Sequence, residues 1–294
     1  MTDTDIHRAE PPLTPPSMGT ILSIWAHPDD ETYLAAGIMA AARDGGQRVV
    51  CASATAGEHG TDDPTAWPPE RLGRVRSWEA AAAMAVLGVR EHHVLGLPDG
   101  RLDEHDDEGL AWAGRLLDEV RPDTILTFGP DGVTYHPDHI AVHRWVTTAW
   151  RDRGRRGRLL YAVPSAEHLA RFRDRYEEWG MYMSEERPVG VPTRELSVYT
   201  RLDGADLDRK LTALRALSTQ TAGVIGLIGP ETYAAQVSEE TYIAAAGSPV
   251  PGVRRVLSTA GNGRSPSQRA GGSRLRSSRS WPRARPRRRF GSPS

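Results

Sequence analysis

Two short segments concentrate the residues able to do chemistry. The first, Ala26-His27-Pro28-Asp29-Asp30-Glu31, puts one imidazole and three carboxylates in six positions. The second, Tyr135-His136-Pro137-Asp138-His139 followed by Ile140-Ala141-Val142-His143, holds three histidines and an acid in the eight positions from His136. Imidazole and carboxylate together are ordinary zinc ligands, and a set this hard also suits iron or manganese. Neighbours in a turn point apart, so one aspartate of the first segment can ligate while the other faces an activated water. Capping alone would account for one of Asp29 and Asp30, since acids are favoured at helix N-termini. It leaves His27 and the rest of the acid run unexplained.

In the second segment His139 and His143 stand four apart, on one helix face. This is half of the H-E-x-x-H zinc motif, but Ile140 occupies the place of the glutamate base and excludes that arrangement. Asp138, beside His136 and His139, is expected to orient an imidazole by hydrogen bond. His143 reads as a surface or capping residue. His59, His92, His93, His105 and His168 stand outside any such constellation, and of these only His59, in a Gly-flanked loop, is suited to a pocket wall. The acidic run 103–108 lacks the spaced ligands of a calcium loop and reads as solvated.

Segments this far apart in sequence need a scaffold that brings them together. The apolar run 20–25 reads as a buried strand, 31–43 as a helix ended by Gly45-Gly46, and 47–55 as a second strand. A polar loop, 56–69, leads to an Ala-rich helix, 70–87, stopped by Gly88. Strands over 92–97, 124–128, 159–163 and 195–200 alternate with helices over 108–120, 138–150, 205–217 and 233–246. The alternation predicts a Rossmann-like α/β fold, a mainly parallel sheet with helices on both faces. Ligands of such sheets bind beyond the carboxyl ends of the strands. The polar loops 26–30, 56–63 and 129–139 each follow a strand and are expected to meet there.

The 294 residues suffice for one such domain, expected at 18–250. An acidic, Pro-rich flexible leader, 1–17, precedes it, and an Arg/Ser/Gly/Pro-rich disordered tail, 251–294, follows. The net charge of -1 hides an asymmetry, because the tail holds many arginines and no Asp or Glu. The tail carries no base-reading motif, so a nucleic-acid partner is not expected. The single cysteine, Cys51, excludes an intrachain disulfide and a Cys-rich metal site. No apolar run is long enough to span a bilayer and no secretion signal is visible, so a cytoplasmic enzyme is expected.

At these residues the chain resembles the PIG-L/LmbE-type N-acetylglucosaminyl deacetylases. The family's A-H-P-D-D-E motif is intact at Ala26 to Glu31 and its H-P-D-H motif at His136 to His139. Arg76-Ser77-Trp78-Glu79 with Leu87-Gly88-Val89 is similar to the family's R-x-x-E…L-G-V segment, and Leu97-Pro98-Asp99-Gly100 matches a further position. The likeness is strong from about Thr20 to Trp150 and fades afterwards. It implies a hydrolase dependent on Zn2+, with Fe2+ as the other divalent candidate, that removes acetyl from a GlcNAc-type amine. It implies His27, Asp30 and His139 as metal ligands and Asp29 as general base. It implies His136 as stabiliser of the tetrahedral intermediate with Asp138 tuning it, and Arg76 and Asp99 as substrate-binding residues.

Elementary chemistry agrees with that division. Two histidines and one aspartate leave zinc an open position, as a catalytic site requires. The metal acidifies water and polarises the carbonyl. Asp29 can take the proton and pass it to the leaving amine. A protonated His136 facing the oxyanion would contribute about 3 kcal/mol when preorganised. The expected partner is a small N-acetylated amino sugar or conjugate. The alternatives are an amidase acting on a glucosaminyl-inositol thiol conjugate and an idle sugar-binding metalloprotein.

Overall fold

Ile21–Trp25 forms strand β1 with every residue buried, as its unbroken apolar run requires. The structure, a computed structural model, describes residues 18–248 apart from Met181 and Met183, together with the short strand Val256–Ser258. The expected flexible leader lies outside the described residues, and so does the expected disordered tail apart from that strand. All described residues belong to one compact unit.

The chain continues through α1 (Asp30–Asp44), β2 (Val49–Ser53), α2 (Pro69–Leu87), β3 (Glu91–Val94), α3 (Asp106–Val120), β4 (Thr124–Phe128) and α4 (Pro137–Asp152). Then come β5 (Arg158–Ala162), α5 (Ala166–Glu178), β6 (Val198–Arg201), α6 (Gly204–Ala216), α7 (Ser218–Ile228), α8 (Pro230–Val237), β7 (Glu239–Ala244) and β8 (Val256–Ser258). The strands make one sheet in the order β3-β2-β1-β4-β5-β7-β6-β8. All neighbours pair in parallel except β5–β7 and β7–β6, which are antiparallel. The expected mainly parallel α/β sheet is what the chain builds.

β1 lies between β2 and β4, so the winding reverses there. At such a switch point the loops leaving the two central strands diverge and open a crevice. The loops carrying His27 and His136 are the ones that leave β1 and β4. Beneath them, Trp25 and Phe128 close the sheet end edge to face, ring centroids 4.9 Å apart.

The second half departs from expectation. The helix expected over 233–246 is the short α8 followed by β7, which inserts between β5 and β6. Thr241, Tyr242 and Ile243 favour a strand once pairing partners exist on both sides. Helices α5 and α7 are additional to the expected elements. The α5 sequence is polar enough to pass for a loop, and only Leu169, Phe172 and Tyr176 among its apolar residues are buried.

A buried ion pair ties this half to α1. Lys210, on α6, and Glu240, on β7, are fully buried with Nζ 2.8 Å from Oε1. Glu240 also accepts the backbone N–H of Gly37 at 2.8 Å and of Ile38 at 3.0 Å. Lys210 donates to the Tyr33 carbonyl at 2.7 Å, and the Tyr242 hydroxyl donates to the Leu34 carbonyl at 2.7 Å. Side chains thus enter the hydrogen-bond ladder of α1 one turn beyond Asp30, a known way to set a helix's course. Among the described residues no single helix is long and apolar enough to cross a membrane, and the pair α6–α7 that reaches the composition together is bent by 116°.

Candidate active site

Helix α1 starts immediately after β1, so His27 and Asp30 flank a very tight turn. Asp29, at the N-cap position, has φ 147° and makes no side-chain cap bond. Capping therefore does not explain it. For a residue with a β-carbon this backbone conformation costs about 1–3 kcal/mol and persists only where the surroundings hold it. Here they do. The Asp29 N–H donates to Glu31 Oε2 at 3.1 Å, and Arg76 donates to Asp29 Oδ2 at 3.1 Å and to the Pro28 carbonyl at 2.8 Å.

Helix α4 brings the second set. Pro137 opens it at a position that needs no N–H, and His136 caps it, Nδ1 accepting the Asp138 N–H at 3.1 Å. A neutral His136 in this role carries its proton on Nε2. Burial, and then the charge of His27, lower its pKa, so the ring is a neutral donor at pH 7. That differs from the protonated His136 that the sequence suggested.

His27, Asp30 and His139 converge. His139 Nε2 is 3.3 Å from His27 Nδ1 and 3.4 Å from Asp30 Oδ1, and His27 Nδ1 is 3.5 Å from Asp30 Oδ2. Tetrahedral sites with bonds of about 2.0–2.1 Å space their ligand atoms by about 3.3–3.4 Å. The other nitrogens are engaged away from this triangle. His139 Nδ1 bonds the Gly132 carbonyl at 2.9 Å, and His27 Nε2 lies 3.0 Å from Asp99 Oδ1 and 3.3 Å from Asp138 Oδ2. These partners fix the tautomers that free His27 Nδ1 and His139 Nε2 for a metal. The donor set fits a divalent cation. A second grouping, His27, His136 and Asp138, is also close enough to ligate. In that grouping, however, His27 Nε2 is already engaged by Asp99 and His136 Nδ1 by the α4 cap.

The electrostatics point the same way. Burial pulls the His27 imidazole down, but Asp138, Asp30 and Asp99 outweigh it and hold its pKa well above the usual value. Burial pushes Asp30 up, and His139 and His27 reverse this and leave it far below the carboxylate range. His139 is lowered to about 4, chiefly by burial. The cluster therefore wants one positive charge, and in the metal-free chain the His27 proton supplies it. Asp29 behaves differently: burial, opposed by Arg76 and reinforced by Asp30, raises it to about 6.

All eight residues singled out from the sequence are at or directly behind this site. His27, Asp29, Asp30, Arg76, Asp99, His136 and His139 line one cavity of 660 Å³. Arg76 is buried, its guanidinium held by the Gly57 and Pro28 carbonyls and Asp29. Asp99 is buried against His27 and accepts the His59 N–H at 2.8 Å. Asp138 is wholly buried, accepts the N–H groups of Gly100 and Leu102 at 2.8 and 3.0 Å, and orients His27, with its carboxylate on neither His136 nor His139. His143 turns away and bonds the Phe128 carbonyl at 2.9 Å.

Three contributors were not legible. Gly132, at φ 61°, lets the loop after β4 pass so close to His139 that a β-carbon there would lie 2.7 Å from the His139 Cβ. Glu31 is fully buried beneath Asp29. His168, on α5, reaches the same cavity from the part of the chain beyond the motifs. Only the glycine itself hinted at the first; the motif contained Glu31 but did not mark its burial, and nothing local marked His168.

A catalytic-type donor set with a further carboxylate beside it, at the switch point of an α/β sheet, defines a metal-dependent hydrolase. Comparison with known proteins narrows the class. Residues 22–150 match the family model described as PIG-L: GlcNAc-PI de-N-acetylase. The chain is 33% identical over 248 residues to a 1D-myo-inositol 2-acetamido-2-deoxy-alpha-D-glucopyranoside deacetylase of Saccharomonospora viridis, covering 73% of this chain and 88% of that one. It is 34% identical over 208 residues to a probable N-acetyl-alpha-D-glucosaminyl L-malate deacetylase 2 of Bacillus subtilis, covering 70% and 85%. Its fold is similar to that of N,N'-diacetylchitobiose deacetylase from Pyrococcus horikoshii, with TM-score 0.55, 20% identity and coverage of 78% and 84%. It is also similar to a conserved protein of Thermus thermophilus, with TM-score 0.52, 22% identity and coverage of 79% and 94%. The chain belongs to the PIG-L family and is a hydrolase of the N-deacetylase type.

Proposed function

We propose that this protein is a zinc-dependent deacetylase that removes the N-acetyl group from a glucosaminyl conjugate in the cytoplasm. The observation that carries the reading is the triangle of His27 Nδ1, Asp30 and His139 Nε2 at 3.3–3.5 Å, with the opposite ring nitrogens engaged elsewhere. These three residues would hold the metal, which when bound would polarise the amide carbonyl and acidify the attacking water.

The chain's own residues supply the rest. Asp29 lines the same cavity and is the general base. Its pKa of about 6 suits it to take a proton near neutrality and to return it to the leaving amine. His136, its Nδ1 used by the helix cap, presents Nε2–H as the donor to the developing oxyanion. Asp138 and Asp99 hold His27 in its ligating tautomer, and Arg76 holds Asp29. The named activities of the Saccharomonospora and Bacillus relatives, both on N-acetylglucosaminyl conjugates, support this substrate class.

The test is acetate release from a panel of N-acetylglucosaminyl compounds, with and without chelator. The metal-loaded protein is expected to release acetate, chelation to abolish release and zinc to restore it. Asp29→Ala is expected to retain metal while losing nearly all turnover. Turnover that survives full metal removal would refute the reading.

A further inference from the structure

The loop that leaves β2 carries the residues Thr55 to His59 past the back of the site. β2 pairs with β1 up to Ser53 and Trp25, so this loop starts beside the one that holds His27. Its polar groups reach different parts of the site. Thr55 is fully buried, donates its hydroxyl to the Ala26 carbonyl at 3.1 Å and accepts the Gly57 N–H at 3.0 Å. The Gly57 carbonyl accepts from Arg76 at 2.7 Å. Gly57 has φ 64°, and a β-carbon there would overlap the Arg76 guanidinium, so the approach needs glycine.

Glu58 and Asp99 then close a reciprocal pair of bonds between this loop and the turn after β3. Glu58 Oε1 accepts the Asp99 N–H at 2.9 Å, and Asp99 Oδ2 accepts the His59 N–H at 2.8 Å. Side chains that serve each other's backbone in this way fix two segments at once, as in a capping box. The remaining Asp99 oxygen, Oδ1, is the one that lies 3.0 Å from His27 Nε2. Asp138 grips the same turn next door, through the N–H groups of Gly100 and Leu102, and also faces His27. Asp138 thus holds the turn and orients the imidazole by itself, whereas Glu58 holds the turn and Asp99 orients the imidazole.

Glu58 does not line the catalytic cavity and is bonded to none of the three metal-ligating residues. Its second oxygen, Oε2, is buried and has no hydrogen-bond partner among the described residues. What the turn uses is therefore one acceptor oxygen at a fixed reach, which an amide supplies as well as a carboxylate.

We propose that Glu58 is a positioning residue of the metal site: by holding the Asp99 N–H it fixes the carboxylate that orients His27, and so sets metal affinity without touching metal or substrate. The proposal rests on the metal reading above. The test is zinc affinity of the full chain by chelator competition, for variants of Glu58 alone and combined with Asp99→Ala. Glu58→Ala is expected to weaken zinc binding by about tenfold, the lower end of the loss that follows removal of an outer partner. Glu58→Gln keeps the acceptor and the reach and is expected to retain most of the affinity. Glu58→Asp keeps the charge but is one methylene too short, and is expected to lose affinity as Glu58→Ala does. In the Asp99→Ala background Glu58→Ala is expected to cost nothing further, because residues that act through one another are not additive.

An equal loss from Glu58→Ala with and without Asp99 would overturn the proposal, as would full affinity in Glu58→Ala or Glu58→Asp. Affinity kept by Glu58→Asp and lost by Glu58→Gln would place the effect in charge rather than reach and overturn it equally. In each of these outcomes the wild-type chain still binds zinc and the metal reading stands. A wild-type chain that binds no zinc would overturn both.

Discussion

His27 Nε2 lies 3.0 Å from Asp99 Oδ1, on the side of the ring opposite to Asp30. One imidazole thus faces a carboxylate at each nitrogen, and Asp99 decides which nitrogen keeps the proton. Loss of an outer partner of this kind typically weakens metal binding by about 10–100-fold. Asp99→Ala is expected to lower zinc affinity to that extent in a chelator-competition titration. A residue that only touched sugar would raise KM and leave the titration unchanged.

Arg76 lowers the pKa of Asp29 while burial and Asp30 raise it to about 6. Asp29 works as a base only when ionised, so activity is lost as pH falls through its pKa. Removing the neighbouring positive charge lets that pKa rise. Arg76→Gln is expected to move the acid limb of the kcat/KM profile upward by roughly one unit. The rate deficit will therefore be larger at pH 6 than at pH 8. A deficit constant across pH would remove Arg76 from this role.

The backbone of Asp29 offers a test independent of activity. Asp29→Ala and Asp29→Gly delete the same carboxylate, so both lose the Arg76 contact. Only glycine relaxes at φ 147°. The Gly variant is expected to be more stable than the Ala variant by about 1–3 kcal/mol in denaturant unfolding. Equal stabilities would mean that the turn is not strained.

Glu31 is pushed up to about 8, first by burial and then by the charge of Asp29. In the folded metal-free chain it stays protonated at neutral pH, whereas in the unfolded chain it ionises near its ordinary value of 4.5. Between those values the folded state binds more protons, so its stability falls as pH rises. Glu31→Gln keeps a neutral group there and is expected to flatten that slope, gaining on the order of a few kcal/mol over wild type at pH 8 relative to pH 4. Urea titrations of the chelated protein across this window measure it.

The first half of the chain was legible because its chemistry and scaffold are local. Strands β1, β2 and β4 are buried, mainly apolar runs, the helices have a glycine or proline near a boundary, and the ligands sit beside the strand ends that aim them. The tuning of the ligands was not local. Asp138 stands next to His139 in sequence yet orients His27, because the start of α4 buries it under the Gly100–Leu102 backbone. Arg76 and Asp99 are set against Asp29 and His27 by α2 and by the turn after β3, contacts that no spacing encodes. β7 was misread because Glu239–Ala244 becomes a strand only through its two partners.

The sole lysine shows the same dependence on the fold. Lys210 Nζ is buried against Glu240 Oε1 at 2.8 Å, and burial lowers its pKa while Glu240 raises it. Lys210→Met leaves Glu240 buried with two backbone N–H donors and no cation. Breaking one side of such a pair costs about 3–5 kcal/mol. Lys210→Met is therefore expected to unfold at markedly lower urea, and Lys210→Met with Glu240→Gln to recover part of the loss, because the second change removes the stranded charge. The Tyr33 carbonyl loses its Nζ donor in both variants, so recovery will be incomplete. A double variant no more stable than the single one would place the stabilisation in the Lys210–Tyr33 contact rather than in the ion pair.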